Sequence, residues 1–292
     1  MNLELPFSRN DSSRNDSVRD SARRAFAETA DPEAYIPRDA TESVISSLEA
    51  WAADDREGST VAALVGPPGL GKTLLLRVFE ARNERQSLYL PYAGLPPTEL
   101  IDWVYGLLSR SPSAEFEREV LLGQPTRVLD PLFALAPSSD EPFFLLIDDA
   151  DSMPEETLRV MIDELPRKRS TLRILMAMNE DAKASRLLAG FDSLRPRTVR
   201  LQRPMSEGET GDYLLGRLSW AGAPGVELGR LDSAQTRRIF ALSAGVPQMV
   251  HRIAYSFFAD DRGTVPGDLD AKQRRENWMG RPFEDDPLEL DP

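Results

Sequence analysis

Five short apolar runs occur between Val61 and Leu201, and each is followed directly by glycine, proline or a polar residue. Because the runs show no polar alternation, they are typical of parallel strands that are covered by helices on both faces of a sheet. Helical segments are predicted between most of them. The predicted strands are Val61–Val65, Ser87–Leu90, Phe143–Ile147, Arg173–Met178 and Thr198–Leu201.

The alternation of strands and helices predicts a doubly wound α/β domain with a parallel five-stranded sheet. Thr98 follows two prolines and is expected to be the N-cap of its helix. The predicted helices of this domain are Thr73–Ala81, Thr98–Leu108, Pro125–Leu135 and Pro154–Leu165.

After about Met205 the strands stop and three helices follow one another. Ser206 and Glu209 have the spacing of a capping box at the start of the first helix. Three consecutive helices predict a small all-α lid at the end of the sheet domain. The predicted lid helices are Ser206–Ala221, Asp232–Ser243 and Pro247–Ala259.

The two ends of the chain are poor in apolar residues. Residues 1–31 contain the motif RNDS twice and are expected to form a flexible tail, because they offer little surface to bury. Residues 260–292 are expected to form a solvated acidic tail, or else a peptide that docks on a partner through Phe283, Leu288 and Leu290. The predicted α/β domain then spans residues 32–204, and the predicted lid spans residues 205–259.

Composition excludes several kinds of site. The 292 residues contain no cysteine and a single histidine, His251, which excludes disulfides, thiolate sites and clusters of histidine ligands. We expect a structural role for His251. A cytoplasmic protein is expected, because neither a secretory pattern nor an apolar run of membrane-spanning length occurs. The net charge of −13 disfavours nucleic acid as a partner and favours protein partners with basic patches.

One segment after the first strand fits the pattern G-x-x-x-x-G-K-[ST] of a P-loop, or Walker A motif. Its glycines let the backbone curl so that successive N–H groups face phosphates, and the helix that follows adds its positive end. We expect Lys72 to reach the β- and γ-phosphates of ATP and Thr73 to bind Mg²⁺. The expected nucleotide-binding residues are Gly66, Pro67, Pro68, Gly69, Leu70, Gly71, Lys72, Thr73 and Leu74.

Polar side chains end the third and fourth predicted strands. Asp148 follows Ile147 as in a Walker B strand and is expected to hold the Mg²⁺ shell. Asp149 is expected to orient the attacking water. Asn179 ends the next strand, so it is expected to lie between these acids and the γ-phosphate, with a simple turn residue as the alternative.

From about Asp31 to Ala259 the chain resembles the AAA+ ATPases of the ExeA/GspA secretion-accessory type and their TniB-like relatives in transposition. The motifs GPPGLGKTLLLR and FFLLIDDAD carry the general resemblance, and LSAGVPQMVHRIA in the lid carries the resemblance to this branch. The resemblance implies that Tyr35, Ile36 and Pro37 border the adenine. It also implies that Arg195 or Arg197 acts as a finger on a neighbouring subunit, and hence a homo-oligomer when ATP is bound. The alternative is that both arginines are surface charges.

The sequence departs from this family at two positions. Asp149 stands where relatives usually have Glu, and a carboxylate misplaced by about 1 Å can cost about a hundredfold in rate. Gln248 stands where the lid usually carries an arginine, so a positive charge over the γ-phosphate is lost, unless Arg252 replaces it. We therefore expect ATP binding with slow hydrolysis.

Three functions follow from these features. The first is a nucleotide-driven switch that remodels or assembles a protein partner of unknown identity. The second is a nucleotide-gated binding module that does not hydrolyse ATP. The third is a TniB-like adaptor associated with DNA, against which the net charge counts.

Overall fold

The computed structural model describes residues 20–54, 60–83, 87–108, 142–164, 172–223, 225, 229 and 231–259. The predicted helix Pro125–Leu135 lies outside the described residues, and so do the predicted acidic tail and the first 19 residues of the predicted N-terminal tail. None of the helices described has the length and apolar character that crossing a membrane requires.

Five parallel strands form one sheet, as the apolar runs predict. The strands are Val61–Gly66 (β1), Ser87–Leu90 (β2), Phe143–Ile147 (β3), Leu172–Asn179 (β4) and Arg197–Arg200 (β5). Their order across the sheet is β2-β3-β4-β1-β5. Each neighbouring pair is parallel. The doubly wound α/β fold is thus confirmed.

The described helices cover both faces of this sheet and form the lid. They are residues 20–26 (α1), Asp39–Ala53 (α2), Lys72–Arg82 (α3), Pro97–Leu108 (α4), Glu155–Glu164 (α5), Ala182–Gly190 (α6), Glu207–Trp220 (α7), Ser233–Ser243 (α8) and Pro247–Ala259 (α9). The sequence pattern did not predict α1, α2 or α6. The prediction of Thr98 as an N-cap is wrong, because α4 already begins at Pro97, where a proline is well tolerated.

Two apolar clusters lie on opposite faces of the sheet, because successive side chains of a strand point to opposite sides. Val61 and Ala63 of β1 belong to one cluster, together with Met161 of α5 and Leu187 of α6. Their neighbour Leu64 belongs to the other. That second cluster includes Ile45 and Leu48 of α2 and Leu75, Leu76 and Phe79 of α3. The three central strands, β1, β3 and β4, are therefore buried on both faces, which explains their lack of polar alternation, whereas β5 at one edge is largely exposed.

The strand registers bring three chain segments to one edge of the sheet. Gly66 at the end of β1 pairs with Asn179 at the end of β4. Ile147 at the end of β3 pairs with Leu90 at the end of β2. The loop after β1, the acids after β3 and Asn179 therefore all lie at the carboxyl edge, where ligands bind in open α/β sheets.

The lid is built around a third apolar cluster formed by α7, α8 and α9. The predicted capping box begins α7: Oγ of Ser206 accepts from the N–H of Glu209 at 3.2 Å, and Oε2 of Glu209 accepts from the N–H of Ser206 at 2.8 Å. The three predicted lid helices are confirmed.

The end of the predicted N-terminal tail differs from the expectation. Residues 20–26 form α1, and Ala22, Ala25 and Phe26 are buried in the third cluster, against the lid. Arg217 of α7 donates from Nε to the carbonyl of Ala25 at 2.7 Å and from Nη1 to the carbonyl of Ala34 at 2.8 Å. The segment from α1 to residue 34 is therefore held by the lid.

Candidate functional site

The loop between β1 and α3 has the curled backbone that its glycines predict. Gly69 and Gly71 have φ values of 78° and 96°, which side chains other than that of glycine rarely adopt. Gly66 is excluded from carrying a side chain for another reason, since a Cβ there would lie 2.2 Å from the carbonyl oxygen of Leu201. Leu70 is buried in the core beneath the loop, whereas Pro67 and Pro68 are exposed.

Lys72 opens α3 and turns its ammonium group back over the loop. Nζ donates to the carbonyls of Gly66 at 2.9 Å and Pro67 at 3.0 Å, and to Oδ1 of Asn179 at 2.9 Å. Burial lowers the pKa of Lys72, and the nearby carboxylates, Asp151 foremost, oppose this effect. All three acceptors are neutral oxygens, so the ammonium charge is available to an anion.

Asp148 is held at the end of β3 by both of its carboxylate oxygens. It is only 9% exposed. Oδ2 accepts from the hydroxyl of Tyr89 at 3.0 Å, and Oδ1 accepts from the N–H of Asp149 at 3.0 Å. Tyr89 was not among the predicted site residues, because nothing in the β2 run distinguishes this tyrosine from a core aromatic.

Asp149 lies beside Asp148 in a left-handed backbone conformation with φ of 49°. Aspartate is among the residues that tolerate this region best. The side chain is exposed, yet partial burial and the charges of Asp151 and Asp148 raise its pKa. Of the three acids that follow β3, Asp148, Asp149 and Asp151, Asp149 is the most exposed.

Asn179 joins Lys72 to a third acid that the sequence analysis missed. Its Nδ2 donates to Oδ2 of Asp151 at 3.1 Å while its Oδ1 accepts from Lys72. The other carboxylate oxygen of Asp151, Oδ1, is buried without a hydrogen-bond partner. The alternative that Asn179 is only a turn residue does not account for these two contacts.

These residues line a cavity of about 590 Å³ between the sheet edge and the lid. That volume is in the range of small-molecule sites. The residues of the sheet domain that line it are Pro68, Gly69, Gly71, Lys72, Thr73, Leu74, Asp148, Asp149, Asp151, Ala177, Met178 and Asn179. The remaining lining residues come from the lid and the N-terminal segment: Glu28, Thr29, Ala30, Tyr213, Pro247, Gln248 and His251.

Gln248 closes the cavity from the lid side, directly against the loop. Its backbone N–H donates to the carbonyl of Gly69 at 3.2 Å, and its Nε2 donates to Oε1 of Glu28 at 3.3 Å. Arg252 is exposed and is not among the lining residues. The position predicted for a lid arginine therefore carries a neutral side chain that is already hydrogen-bonded.

His251 lies one turn from the start of α9 and faces Tyr213. Its Nε2 is 2.7 Å from the hydroxyl of Tyr213, and the two rings stack with centroids 5.7 Å apart. Burial, together with the charge of Arg217, lowers the pKa of His251 to about 4. The imidazole is therefore neutral near pH 7 and forms part of the cavity wall.

Three predicted loop residues, Gly66, Pro67 and Leu70, do not line this cavity, and neither do five predicted residues outside the loop. The hydroxyl of Tyr35 donates to Thr41, and Ile36 packs on Gly216 of α7. Glu28, Thr29 and Ala30 occupy the wall instead, a few residues earlier in the chain. Pro37 is exposed and does not line the cavity either. Arg195 and Arg197, the candidate finger arginines, are exposed as well and lie outside the lining.

In a comparison with protein families, residues 55–197 match a family that is described as AAA domain. This part of the chain is therefore similar to AAA domains. The match includes the Walker A loop, Asp148, Asp149 and Asn179, and it ends at Arg197. The site described above therefore lies largely in the matched region and is completed by the lid and the N-terminal segment. No curated protein matches the chain.

Solved structures share the fold of the sheet domain and the lid at low sequence identity. A Walker-type ATPase of Pyrococcus abyssi is 16% identical with a TM-score of 0.60, over 87% of this chain and 74% of that one. The ORC1 protein of Aeropyrum pernix, solved in complex with DNA, is 17% identical with a TM-score of 0.56, over 88% and 68%. Cdc6p of Pyrobaculum aerophilum is 18% identical with a TM-score of 0.55, over 80% and 63%.

This chain spans 74% and 63% of the lengths of the first two structures that it matches, the Pyrococcus ATPase and Cdc6p. These likenesses establish a P-loop NTPase fold. The finer resemblance to the ExeA/GspA-type and TniB-like proteins stays a prediction.

Proposed function

We propose that the chain is an AAA+ ATPase that binds ATP with Mg²⁺ and acts as a slow, nucleotide-driven switch on a protein partner. The observation that carries the proposal is the placement of Lys72. Its ammonium lies between two loop carbonyls and Asn179, beside a glycine-rich backbone that opens into a cavity of ligand size. A Walker A loop at the start of a helix is a natural site for a triphosphate.

The residues present fit the nucleotide. Gly71 lines the cavity, has open space around the position of a Cβ, and has a φ of 96°. The amides of the loop and the ammonium of Lys72 would hold the phosphates. Bound Mg²⁺ would neutralise the charge that develops on the transferred phosphoryl group.

Thr73 and Asp148 would hold the magnesium ion. Among the residues that the structure describes, no three His, Asp or Glu side chains are grouped as metal ligands. The ion would therefore share its shell with phosphate oxygens and water, as is usual for Mg²⁺. Asp149 would orient the attacking water, and Asn179 would polarise it or contact the γ-phosphate.

The lid supports the proposal of a switch. Gln248 of the lid is hydrogen-bonded to Glu28, which lies in the N-terminal segment that the lid holds. The backbone N–H of Gln248 is also bonded to Gly69 of the sheet domain. A triphosphate over the loop would contact both parts. Its presence or absence would then shift the lid between two positions, and with it the affinity for a partner.

Binding of a fluorescent ATP analogue in the presence of Mg²⁺ tests the proposal. We expect a dissociation constant of about 1 μM for the wild type. The affinity of Lys72→Ala should be lower by about 30-fold or more, since a charge-assisted contact to phosphate disappears. Arg238→Ala is the control, because Arg238 is an exposed cation of α8 outside the cavity. Equal binding by all three proteins would refute the proposal.

A second candidate is a nucleotide-gated module that does not hydrolyse ATP. It is favoured by Gln248, which is neutral and already bonded to Glu28. Phosphate release at saturating ATP, with and without candidate partners, separates the two functions. Phosphate release that stays at the buffer background under every condition would exclude the hydrolysing switch. The nucleotide-gated module would then be the remaining function.

Arg195 and Arg197 remain proposed fingers for a neighbouring subunit. Both are exposed, so a second copy of the chain can reach them. If either is a finger, its replacement by alanine lowers phosphate release and leaves ATP binding unchanged. Turnover that is independent of protein concentration and of both substitutions would exclude this role.

A further inference from the structure

The carboxylate proposed to hold magnesium is fixed by a tyrosine from the neighbouring strand. Tyr89 lies in β2, beside Leu146 of β3 in the strand register. Its hydroxyl donates to Oδ2 of Asp148 at 3.0 Å. The N–H of Asp149 donates to the other oxygen, Oδ1, also at 3.0 Å. With a donor on each oxygen, the carboxylate of Asp148 has one preferred orientation.

Tyr89 is suited to be the donor of this contact, because an ionised carboxylate only accepts hydrogen bonds whereas a phenol hydroxyl can donate one.

The ring of Tyr89 is itself held from α3, the helix that begins at Lys72. The guanidinium of Arg77 lies 4.7 Å from the ring centroid, as in a cation–π contact. Arg77 in turn pairs with Glu80, and Glu80 accepts from the hydroxyl of Ser87 at 3.2 Å. The Walker A helix, β2 and Asp148 are thereby connected by side-chain contacts.

We propose that Tyr89 is a positioning residue for magnesium, acting through Asp148, and this proposal rests on the proposed function. The outer partners of a metal ligand fix its orientation, and their loss typically weakens metal affinity about 10- to 100-fold. Tyr89 is not among the residues that line the cavity, so it would act on the ion only through Asp148. Its effect is therefore specific to the magnesium-dependent part of ATP binding.

The test is a magnesium titration of Tyr89→Phe with a fluorescent ATP analogue. The ring and its contact with Arg77 are retained, and only the hydroxyl is lost. We expect the Mg²⁺ concentration that gives half of the affinity gain to rise about 10-fold. Affinity for the analogue in EDTA should stay within about twofold of the wild type, because the loop amides and Lys72 are unchanged.

Tyr92→Phe is the matched control, since Tyr92 is 50% exposed and lies just after β2. It should titrate like the wild type. The melting temperature of each variant is measured alongside, and we expect both variants to melt within about 3 °C of the wild type, because only a hydroxyl is removed.

Three outcomes overturn the proposal. An unchanged magnesium titration in Tyr89→Phe would show that the hydroxyl does not position Asp148. Equal losses with Mg²⁺ and in EDTA would show a general structural role. Wild-type affinity that does not depend on Mg²⁺ would remove the magnesium role of Asp148 itself. Failure of the wild type to bind the analogue would instead refute the proposed function.

Discussion

Asn179 and Asp151 are joined by a hydrogen bond of 3.1 Å from Nδ2 to Oδ2, 28 residues apart in the sequence. This contact fixes which way the amide of Asn179 faces, because an amide whose Nδ2 donates to Asp151 must present its Oδ1 on the other side. There it accepts from Lys72 at 2.9 Å. Asp151 therefore sets the orientation of Asn179 toward the Walker A lysine.

Replacing Asp151 by alanine should slow hydrolysis without removing nucleotide binding. The amide of Asn179 would lose its anchor, and small misplacements of a catalytic group reduce rate steeply. We expect phosphate release to fall about 10-fold and the affinity for ATP to change by less than about threefold. Asp163→Ala is the control, since Asp163 is an exposed acid of α5. A variant as active as the control would show that Asp151 does not position Asn179.

The fold could be predicted from the sequence because its determinants are local. The β3 run Phe143–Ile147 has no polar residue and is buried throughout. Its pattern therefore predicts both that it is a strand and that helices cover it on both faces. The Walker A loop needs glycine at Gly69 and Gly71 for positive φ, and this requirement is visible in the sequence. Parallel strands then bring Asp148 and Asn179 to one edge.

The partners of these residues could not be predicted in the same way. Which acid Asn179 meets depends on the course of the turn after β3, where Asp151 lies in a short 3₁₀ helix, Ala150–Ser152. The bond from Tyr89 to Asp148 depends on strand order, because β2 and β3 are neighbours only in the folded sheet. Such contacts join residues that are far apart in the sequence, and a local pattern of residues does not predict them.

The N-terminal segment shows a different reason for error. Ala22, Ala25 and Phe26 do have helical spacing, which was the available signal. Two of the three are alanines, which add little to an apolar pattern. Their burial comes from the lid that they contact, so the segment looks like a solvated tail when it is considered alone. As a result the wall formed by Glu28, Thr29 and Ala30 was missed.

Lengthening Asp149 to glutamate should speed hydrolysis. The longer side chain would carry the carboxylate farther into the cavity. Because a catalytic group misplaced by about 1 Å can cost about a hundredfold in rate, the added reach should raise the rate. Part of the gain is offset because glutamate tolerates the left-handed backbone at φ of 49° less well than aspartate. We expect phosphate release to rise about 10-fold, measured at saturating ATP.

Asp163→Glu is the control for that change, since it adds the same methylene to an exposed acid. No gain over this control would mean that the reach of residue 149 does not limit turnover.

Stability should fall in acid partly through His251. Its pKa is about 4 in the folded protein, below the ordinary value of 6.5. Below pH 6.5 the unfolded chain therefore binds a proton that the folded protein does not bind until about pH 4. The free energy of unfolding contributed by this group is intact above pH 6.5 and is lost as the pH falls, by about 2.5 kcal/mol at pH 4.5.

Urea unfolding of the wild type and of His251→Gln at pH 7 and pH 4.5 measures this loss. Glutamine keeps a hydrogen-bonding group near Tyr213 and does not titrate. The wild type should lose about 2.5 kcal/mol more than the variant between the two pH values. Parallel losses would show that His251 is not protected from protonation in the folded protein.

Replacing Arg217 by methionine should loosen the N-terminal segment. The side chain is fully buried, at 0% exposure, and its two hydrogen bonds to the carbonyls of Ala25 and Ala34 would be lost. We expect the free energy of unfolding to fall by about 2 kcal/mol, because two buried carbonyls lose a charged donor. Backbone amides of residues 22–34 should exchange faster with deuterium. Arg238→Met, an exposed arginine of α8, should change neither quantity.

The central claim is that the loop from Gly66 to Thr73 receives a triphosphate. A crystal structure of the protein with Mg²⁺ and a non-hydrolysable ATP analogue tests this most directly. We predict the β- and γ-phosphates within hydrogen-bond distance of the loop amides and of Nζ of Lys72, and Mg²⁺ bound by Thr73 and Asp148. An analogue bound elsewhere, with Lys72 still on the carbonyls of Gly66 and Pro67, would contradict the claim.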